Sequence, residues 1–419
     1  MIKKRLLDNG LRVVFEKITD VRSVAIGIWV YTGSRNESYD INGISHFIEH
    51  LLFKGTANRD AKGIAETIDA IGGQLNAFTS KEYTCFYTRV RDEHAEIGLN
   101  LLSDMLFNSL FVQKEVDRER KVVLEEINMY EDTPDDQVHD LISAAAFNDN
   151  SLGYSILGRA DSLNSLSRDS ILKYMGDNYN LSNIVIAIAG NIDDNLIALV
   201  NKYFGGFNNV GKENLLVPAK FTGNKILKTK ETEQVHLALA FPGFAANSDT
   251  LYALNLLNNL FGGSMSSLLF QEVREKLGLA YSVYSYHSAF REIGQFTIYA
   301  GTNPQNLEQL IEVLFRVIRK NLVEDITEAD IVKGKEQLKG GLMLGLESTS
   351  NRMHRLGKNE LYLEKHLTID EIIQKIDSIT LEDFNQVIEL LFTGNYSAAV
   401  IGPISELPAI LRSESIVNN

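Results

Sequence analysis

The chain has 419 residues, 44% apolar and 23% charged, with 30 glycines, 6 prolines and a single cysteine. That length suits two to three domains of about 150 residues, and the composition excludes disordered, collagen-like and coiled-coil chains. The net charge of −14, from 55 acidic against 41 basic residues, speaks against nucleic acid as a partner, since phosphate binding needs a basic face; it either favours cationic ligands or merely keeps the chain soluble.

The N-terminus begins with Lys3, Lys4 and Arg5 but reaches Asp8 after only two leucines, so no hydrophobic signal-peptide region is expected there. No apolar stretch approaches the ~20 residues of a membrane-spanning helix, so neither a membrane partner nor a membrane segment is expected, and the expected location is cytoplasmic. Strand-like runs at Arg12–Glu16, Val24–Tyr31, Tyr83–Val90 and Ile184–Ala189 alternate with helical patterns. The helical patterns cover Ile44–Phe53, Ala61–Ile71, His94–Phe107, Lys114–Tyr130 and Val138–Phe147. Few segments read as parallel βαβ repeats, so the expected fold class is α+β, with mostly antiparallel mixed sheets and helices packed on one side of each. The lone Cys85, in an alternating run, is expected to be a buried structural thiol rather than part of a disulfide framework.

Two stretches echo one another. Leu166-Ser-Arg-Asp leads to Asn183–Ile192, and Ile379-Thr-Leu-Glu-Asp leads to Asn395–Ile404, each reading as a capped helix feeding a final strand. Homologous halves are therefore expected: an N-terminal domain over 1–210, a polar linker over 211–225 and a C-terminal domain over 226–419.

The sharpest signal lies between Gly43 and Thr56. Ile44, Phe47, Ile48, Leu51 and Leu52 form the apolar face of an amphipathic helix, and His46, Glu49 and His50 make a second stripe at i, i+3, i+4. This His-x-x-Glu-His pattern is the inverted zinc motif, with two imidazoles within reach of one ion and a carboxylate beside it as general base. A catalytic zinc needs a further protein ligand. In the helical pattern 114–130, Glu119 and Glu126 share the stripe of Val116 and Val123, whereas Glu125 turns outward. Buried carboxylates are costly unless paired or metal-bound, so Glu126 is the better ligand by phase, and Glu119, two turns earlier, is expected to orient a ligand histidine.

The residues His46-Phe-Ile-Glu-His50, Phe53-Lys-Gly-Thr, Gly72-Gly-Gln-Leu-Asn-Ala-Phe-Thr-Ser80 and Glu119-Arg through Glu126 together resemble the pitrilysin/insulinase zinc metallopeptidases. The likeness is nearest to bacterial relatives of the processing peptidase β subunit and runs nearly end to end. The resemblance implies a chamber enclosed by two chains, hence a homodimer, one Zn²⁺ per chain on His46, His50 and Glu126, and peptide substrates; the acidic balance of the chain fits cationic peptides. It further implies that the edge strand with Asn76, Ala77, Phe78 and Thr79 pairs with substrate, with Asn76 also near the ligands. From Gln271–Tyr281 it implies that Arg274 binds a substrate carbonyl and Tyr281 donates to the oxyanion. The function expected is a zinc-dependent endopeptidase acting on extended peptides or presequence-like segments. The alternative is a catalytically weak scaffold or assembly subunit resembling respiratory-complex core proteins, against which the intact His46, Glu49, His50 and Glu126 argue.

Overall fold

A computed structural model describes residues 2–193, 195–211, 216–413 and 415–416. Its strands form two sheets. The first is built from β1 (Ile2–Leu6), β2 (Arg12–Lys17), β3 (Ser23–Val30), β4 (Gln74–Thr79), β5 (Thr84–Arg91) and β6 (Ile184–Gly190), in the order β1-β2-β6-β3-β5-β4. The second contains β7 (Lys225–Thr229), β8 (Val235–Gly243), β9 (Ala280–Ala289), β10 (Gly294–Thr302) and β11 (Ser397–Gly402), in the order β7-β11-β8-β10-β9.

Leaving β1 aside, both sheets follow one plan. The earliest strand lies parallel to the latest, β2 beside β6 and β7 beside β11, and every other pairing is antiparallel. The middle strand in chain order, β4 or β9, forms the far edge. The α+β architecture and the echo of a helix feeding a final strand that ends at Gly190 or Gly402 both appear in this shared topology. Strand β1 carries no apolar alternation, only the exposed run Lys3 to Leu6, and for that reason periodicity did not predict it.

The chain packs as two compact units, and their bounds differ from a contiguous cut. One contains Met1–Asn128, Tyr154–Leu216 and Leu344–Thr368, the other Met129–Gly153, Val217–Met343 and Ile369–Asn419. Two segments thus depart from the halves 1–210 and 226–419. Of the linker expected at 211–225, residues 212–215 lie outside the described residues, and 216–224 have no regular structure.

Packing explains both departures. The helix Pro134–Ala146 lays Val138, Ile142 and Ala145 on Ala238, Ala240, Ala399 and Ile401 of the second sheet, where alanines let a helix come close. The helix Thr349–Tyr362 lays Met353, Leu356 and Leu361 on Val14, Ala25, Trp29, Val185 and Ala187 of the first sheet. Gly357 rests on the Trp29 indole so closely that an added Cβ would enter the ring. The opposite face of the first sheet carries the main helical layer, including Ile44–Leu51, Ala95–Asn108 and Gln113–Glu131, over a core with Phe47, Ile48, Val116 and Val123. Cys85 is buried in β5. Among the described residues, no helix is long and apolar enough to cross a membrane.

Candidate metal centre

The motif helix, Ile44–Leu51, follows Gly43, whose φ of 97° is a left-handed conformation open to glycine. Its apolar stripe, Ile44, Phe47, Ile48 and Leu51, is sunk in the core of the first unit. Glu37 caps its start: Oε2 accepts from the Gly43 N–H at 2.7 Å and from Asn42 Nδ2 at 2.9 Å, and Oε1 accepts from the Ser45 N–H at 2.8 Å. Burial pushes the Glu37 carboxyl up to about 7, outweighing these hydrogen bonds.

Helical spacing then brings the ligand candidates together. The Nε2 atoms of His46 and His50 are 3.2 Å apart, and Glu126 Oε2 lies 3.8 Å from the first and 3.5 Å from the second. Donors each about 2.0–2.1 Å from one tetrahedral ion stand about 3.3 Å from one another. The observed triangle therefore fits a small divalent cation with little rearrangement. Two imidazole nitrogens and one carboxylate oxygen are also the donor chemistry that zinc takes. Among the described residues, His46, His50 and Glu126 are the group of this kind with converging ligand atoms.

The protonation pattern agrees with that donor set. Burial, with the neighbouring His50 charge, lowers His46 to about 3, so its imidazole is neutral with a lone pair to offer. For His50 burial acts downward, but the hydrogen bond to Glu119 and the charges of Glu126, Glu119 and Glu49 outweigh it and raise its pKa. His50 Nδ1 faces Glu119 Oε1 at 2.9 Å, which fixes the tautomer with the Nε2 lone pair turned to the site. Glu119 is itself held by Lys54 Nζ, 2.9 Å from Oε2, and its side chain is only 4% exposed. Burial would raise this carboxyl, but the hydrogen bonds from His50 and Lys54 bring it below the usual range.

Both glutamates come from the helix Gln113–Glu131, where Val116 and Val123 are buried and Glu125 is exposed. Glu126, at 41% side-chain exposure, sits at the rim of the site and Glu119 beneath it. Glu49 lies on the same face of the motif helix. Burial raises its pKa, opposed by a hydrogen bond from the Thr79 hydroxyl to Oε2 and by the charge of His50.

Asn76, Ala77, Phe78 and Thr79 lie on β4, whose sheet neighbour is β5 and whose other side is a sheet edge. Asn76 is exposed; its Oδ1 accepts from the Ala77 N–H at 2.8 Å, and its side chain also meets the Tyr87 hydroxyl. Among the described residues, no hydrogen bond joins it to His46, His50 or Glu126. Phe78 turns to the opposite face, against the rings of Trp29, Tyr83, Tyr87 and His354. Arg274 and Tyr281 belong to the second unit and are adjacent there, with the guanidinium 4.3 Å from the centroid of the Tyr281 ring. Arg274 lies in a π-helical turn, Phe270–Lys276, and Tyr281 is 75% exposed at the start of the edge strand β9.

Sequence reasoning missed Lys54, Glu37 and the side-chain role of Thr79. Lys54 was within reach of it: four residues beyond His50, it continues the polar stripe of the motif by one turn.

Comparison with known proteins places these observations in a family. Residues 12–160 match the insulinase family, peptidase family M16, and residues 165–338 match the domain described as peptidase M16 inactive domain. The chain is 50% identical to the uncharacterized zinc protease YmxG of Bacillus subtilis, over 98% of this chain and 100% of that protein. A zinc protease of Streptomyces coelicolor is 40% identical over 97% of this chain and 91% of its own length. The same fold occurs in a protease from Helicobacter pylori, with a TM-score of 0.89 at 23% identity over 96% and 99% of the two chains. It occurs also in a chain of Complex III2 from Candida albicans, with a TM-score of 0.85 at 20% identity over 98% of each. The chain belongs to the insulinase family of peptidases, family M16.

Proposed function

We propose that the protein is a zinc-dependent endopeptidase that hydrolyses extended peptides or presequence-like segments. The observation that carries this reading is the convergence of His46 Nε2, His50 Nε2 and Glu126 Oε2 beside a half-buried Glu49. Held by those three residues, zinc would supply Lewis-acid polarisation of a carbonyl and make water at the site more acidic. Glu49, its pKa raised by burial, is the base that takes the proton of water as the new C–O bond forms. It returns that proton to the amide nitrogen as the C–N bond breaks, so that acid and amine are the products.

Strand β4 offers an edge on which an extended peptide adds as a further strand, with Asn76 to Thr79 supplying backbone pairing. The Asn76 side chain already covers the Ala77 N–H and would swing aside as substrate pairs. Arg274 and Tyr281 are proposed, on the family resemblance, as donors to the substrate carbonyl and to the oxyanion. The homodimer, the cytoplasmic location and a preference for cationic peptides belong to the same proposal; the last draws support from the net charge of −14.

The fold shared with a chain of Complex III2 keeps one alternative, a scaffold subunit with little turnover. One experiment separates the two. Bound zinc is measured by elemental mass spectrometry, and cleavage of a peptide library is followed for the wild type and Glu49→Gln. Both proteins are expected to carry zinc, and only the wild type to cleave. A zinc-loaded wild type that cuts nothing supports the scaffold, and equal cleavage by the two removes Glu49 from the mechanism.

A further inference from the structure

Glu49 stands on a helix, yet its carboxylate is held from the sheet. The Thr79 hydroxyl donates to Glu49 Oε2 at 2.5 Å. Strand alternation accounts for the contact: Leu75, Ala77 and Thr79 share one face of β4, and Leu75 and Ala77 pack into the core that contains Phe47 and Ile48 of the motif helix. Thr79 follows on that face, where the apolar stripe of the helix gives way to Glu49.

The hydroxyl is fixed in direction. A β-branched side chain in a strand has restricted χ1, and Thr79 is the last residue of β4, paired with Thr84 of β5. Thr84 is buried, and its own hydroxyl is anchored on the Thr32 carbonyl oxygen at 3.0 Å. A flexible three-carbon acid is thereby tied at one oxygen to a short, well-anchored strand end, leaving Oε1 for the proton.

We propose that Thr79 is a positioning residue that couples the substrate-pairing edge to the base: the backbone of β4 meets the peptide while the Thr79 side chain orients Glu49. This inference rests on the peptidase reading above and deepens it. The strand that holds the substrate also sets the approach of the proton acceptor, so a shift of β4 on peptide pairing is transmitted to Glu49 through one hydrogen bond. An effect confined to the transition state is expected, because among the described residues the hydroxyl is hydrogen-bonded to Glu49 and Thr84 and to none of His46, His50 and Glu126, while the peptide meets the backbone of β4.

The test compares the wild type with Thr79→Val, which keeps shape and branching, and Thr79→Ser, which keeps the hydroxyl. For each, kcat and KM on an internally quenched peptide, zinc affinity by chelator competition and the thermal midpoint are measured, with Glu49→Gln alongside. Thr79→Val is expected to lose about tenfold or more in kcat, with KM and zinc affinity within about twofold of wild type, and Thr79→Ser to recover most of the loss. Wild-type kcat in Thr79→Val overturns the inference. So does a loss that Ser does not rescue and that KM, zinc affinity and melting share, since that is a packing effect. Full activity in Glu49→Gln sinks the underlying reading instead, whereas a silent Glu49→Gln beside a fully active Thr79→Val sinks only the role of Thr79.

Discussion

Glu119 gives a graded test of how the ligand histidine is held. His50 Nδ1 and Lys54 Nζ each lie 2.9 Å from a different oxygen of this carboxylate, which is 4% exposed and therefore poorly replaced by water. Glu119→Gln leaves one acceptor oxygen and one NH₂ for two donors. Lys54, at 31% exposure, can turn to solvent, so the amide oxygen stays with His50 and chiefly the negative charge is lost. The imidazole becomes less basic, and zinc affinity is expected to fall by about tenfold, about 1.4 kcal/mol. Glu119→Ala removes the acceptor altogether, frees the His50 tautomer and approaches a hundredfold loss, roughly 2.7 kcal/mol. The dissociation constant is read by competition with a chelating indicator at fixed, mildly alkaline pH, and circular dichroism checks the fold. Unchanged zinc affinity in both variants refutes the reasoning, because His50 would then be oriented without its carboxylate partner.

Zinc retention should also depend on pH. The pKa of His50 in the metal-free site is raised above its ordinary 6.5, while that of His46 is lowered to about 3, so protons compete with the metal at His50. Affinity should fall about tenfold for each pH unit below the His50 pKa, starting at a higher pH than for an ordinary imidazole; a titration flat from neutral to mildly acidic pH contradicts this. Glu37 has a folded pKa of about 7 against an ordinary 4.5, so the folded state binds the extra proton and stability should fall as pH rises through that window. The difference in unfolding free energy between the wild type and Glu37→Gln should shrink in the same direction by up to about 3 kcal/mol, and denaturant melts at several pH values that show a constant difference would exclude it. Gly357→Ala pushes a methyl into the Trp29 ring, so a loss of about 1–3 kcal/mol is expected from overpacking; a thermal midpoint equal to wild type would mean the helix can slide off the indole.

The site was more legible than the assembly of the chain. Residue phase alone placed Ile44, Phe47, Ile48 and Leu51 inward and His46, Glu49 and His50 on a second stripe, because a helix imposes one period on both sets. The same phase separated Glu126 from the exposed Glu125 and put Glu119 beneath it. Periodicity reports which face of a helix is apolar but not which sheet will cover it. Nothing in Val138, Ile142 and Ala145, or in Met353, Leu356 and Leu361, marks them for a sheet in the other half of the chain. The contact between Thr79 and Glu49 spans a helix and a strand end, so no single-element pattern could contain it. Asn76, a polar residue in a recognisable motif, has its side chain on the Ala77 N–H and the Tyr87 hydroxyl, contacts that the motif by itself does not reveal.

The returning helix at Thr349–Tyr362 has a consequence for synthesis. All six strands of the first sheet have been made by Gly190, but the helix that covers the face with Trp29, Val185 and Ala187 ends only at Tyr362. At ribosomal speeds of about 5–20 residues per second, that surface stays bare on the nascent chain for roughly 10–30 s. A fragment stopped after the first half should therefore be sticky and chaperone-dependent, and supplying the missing C-terminal piece in trans should rescue it.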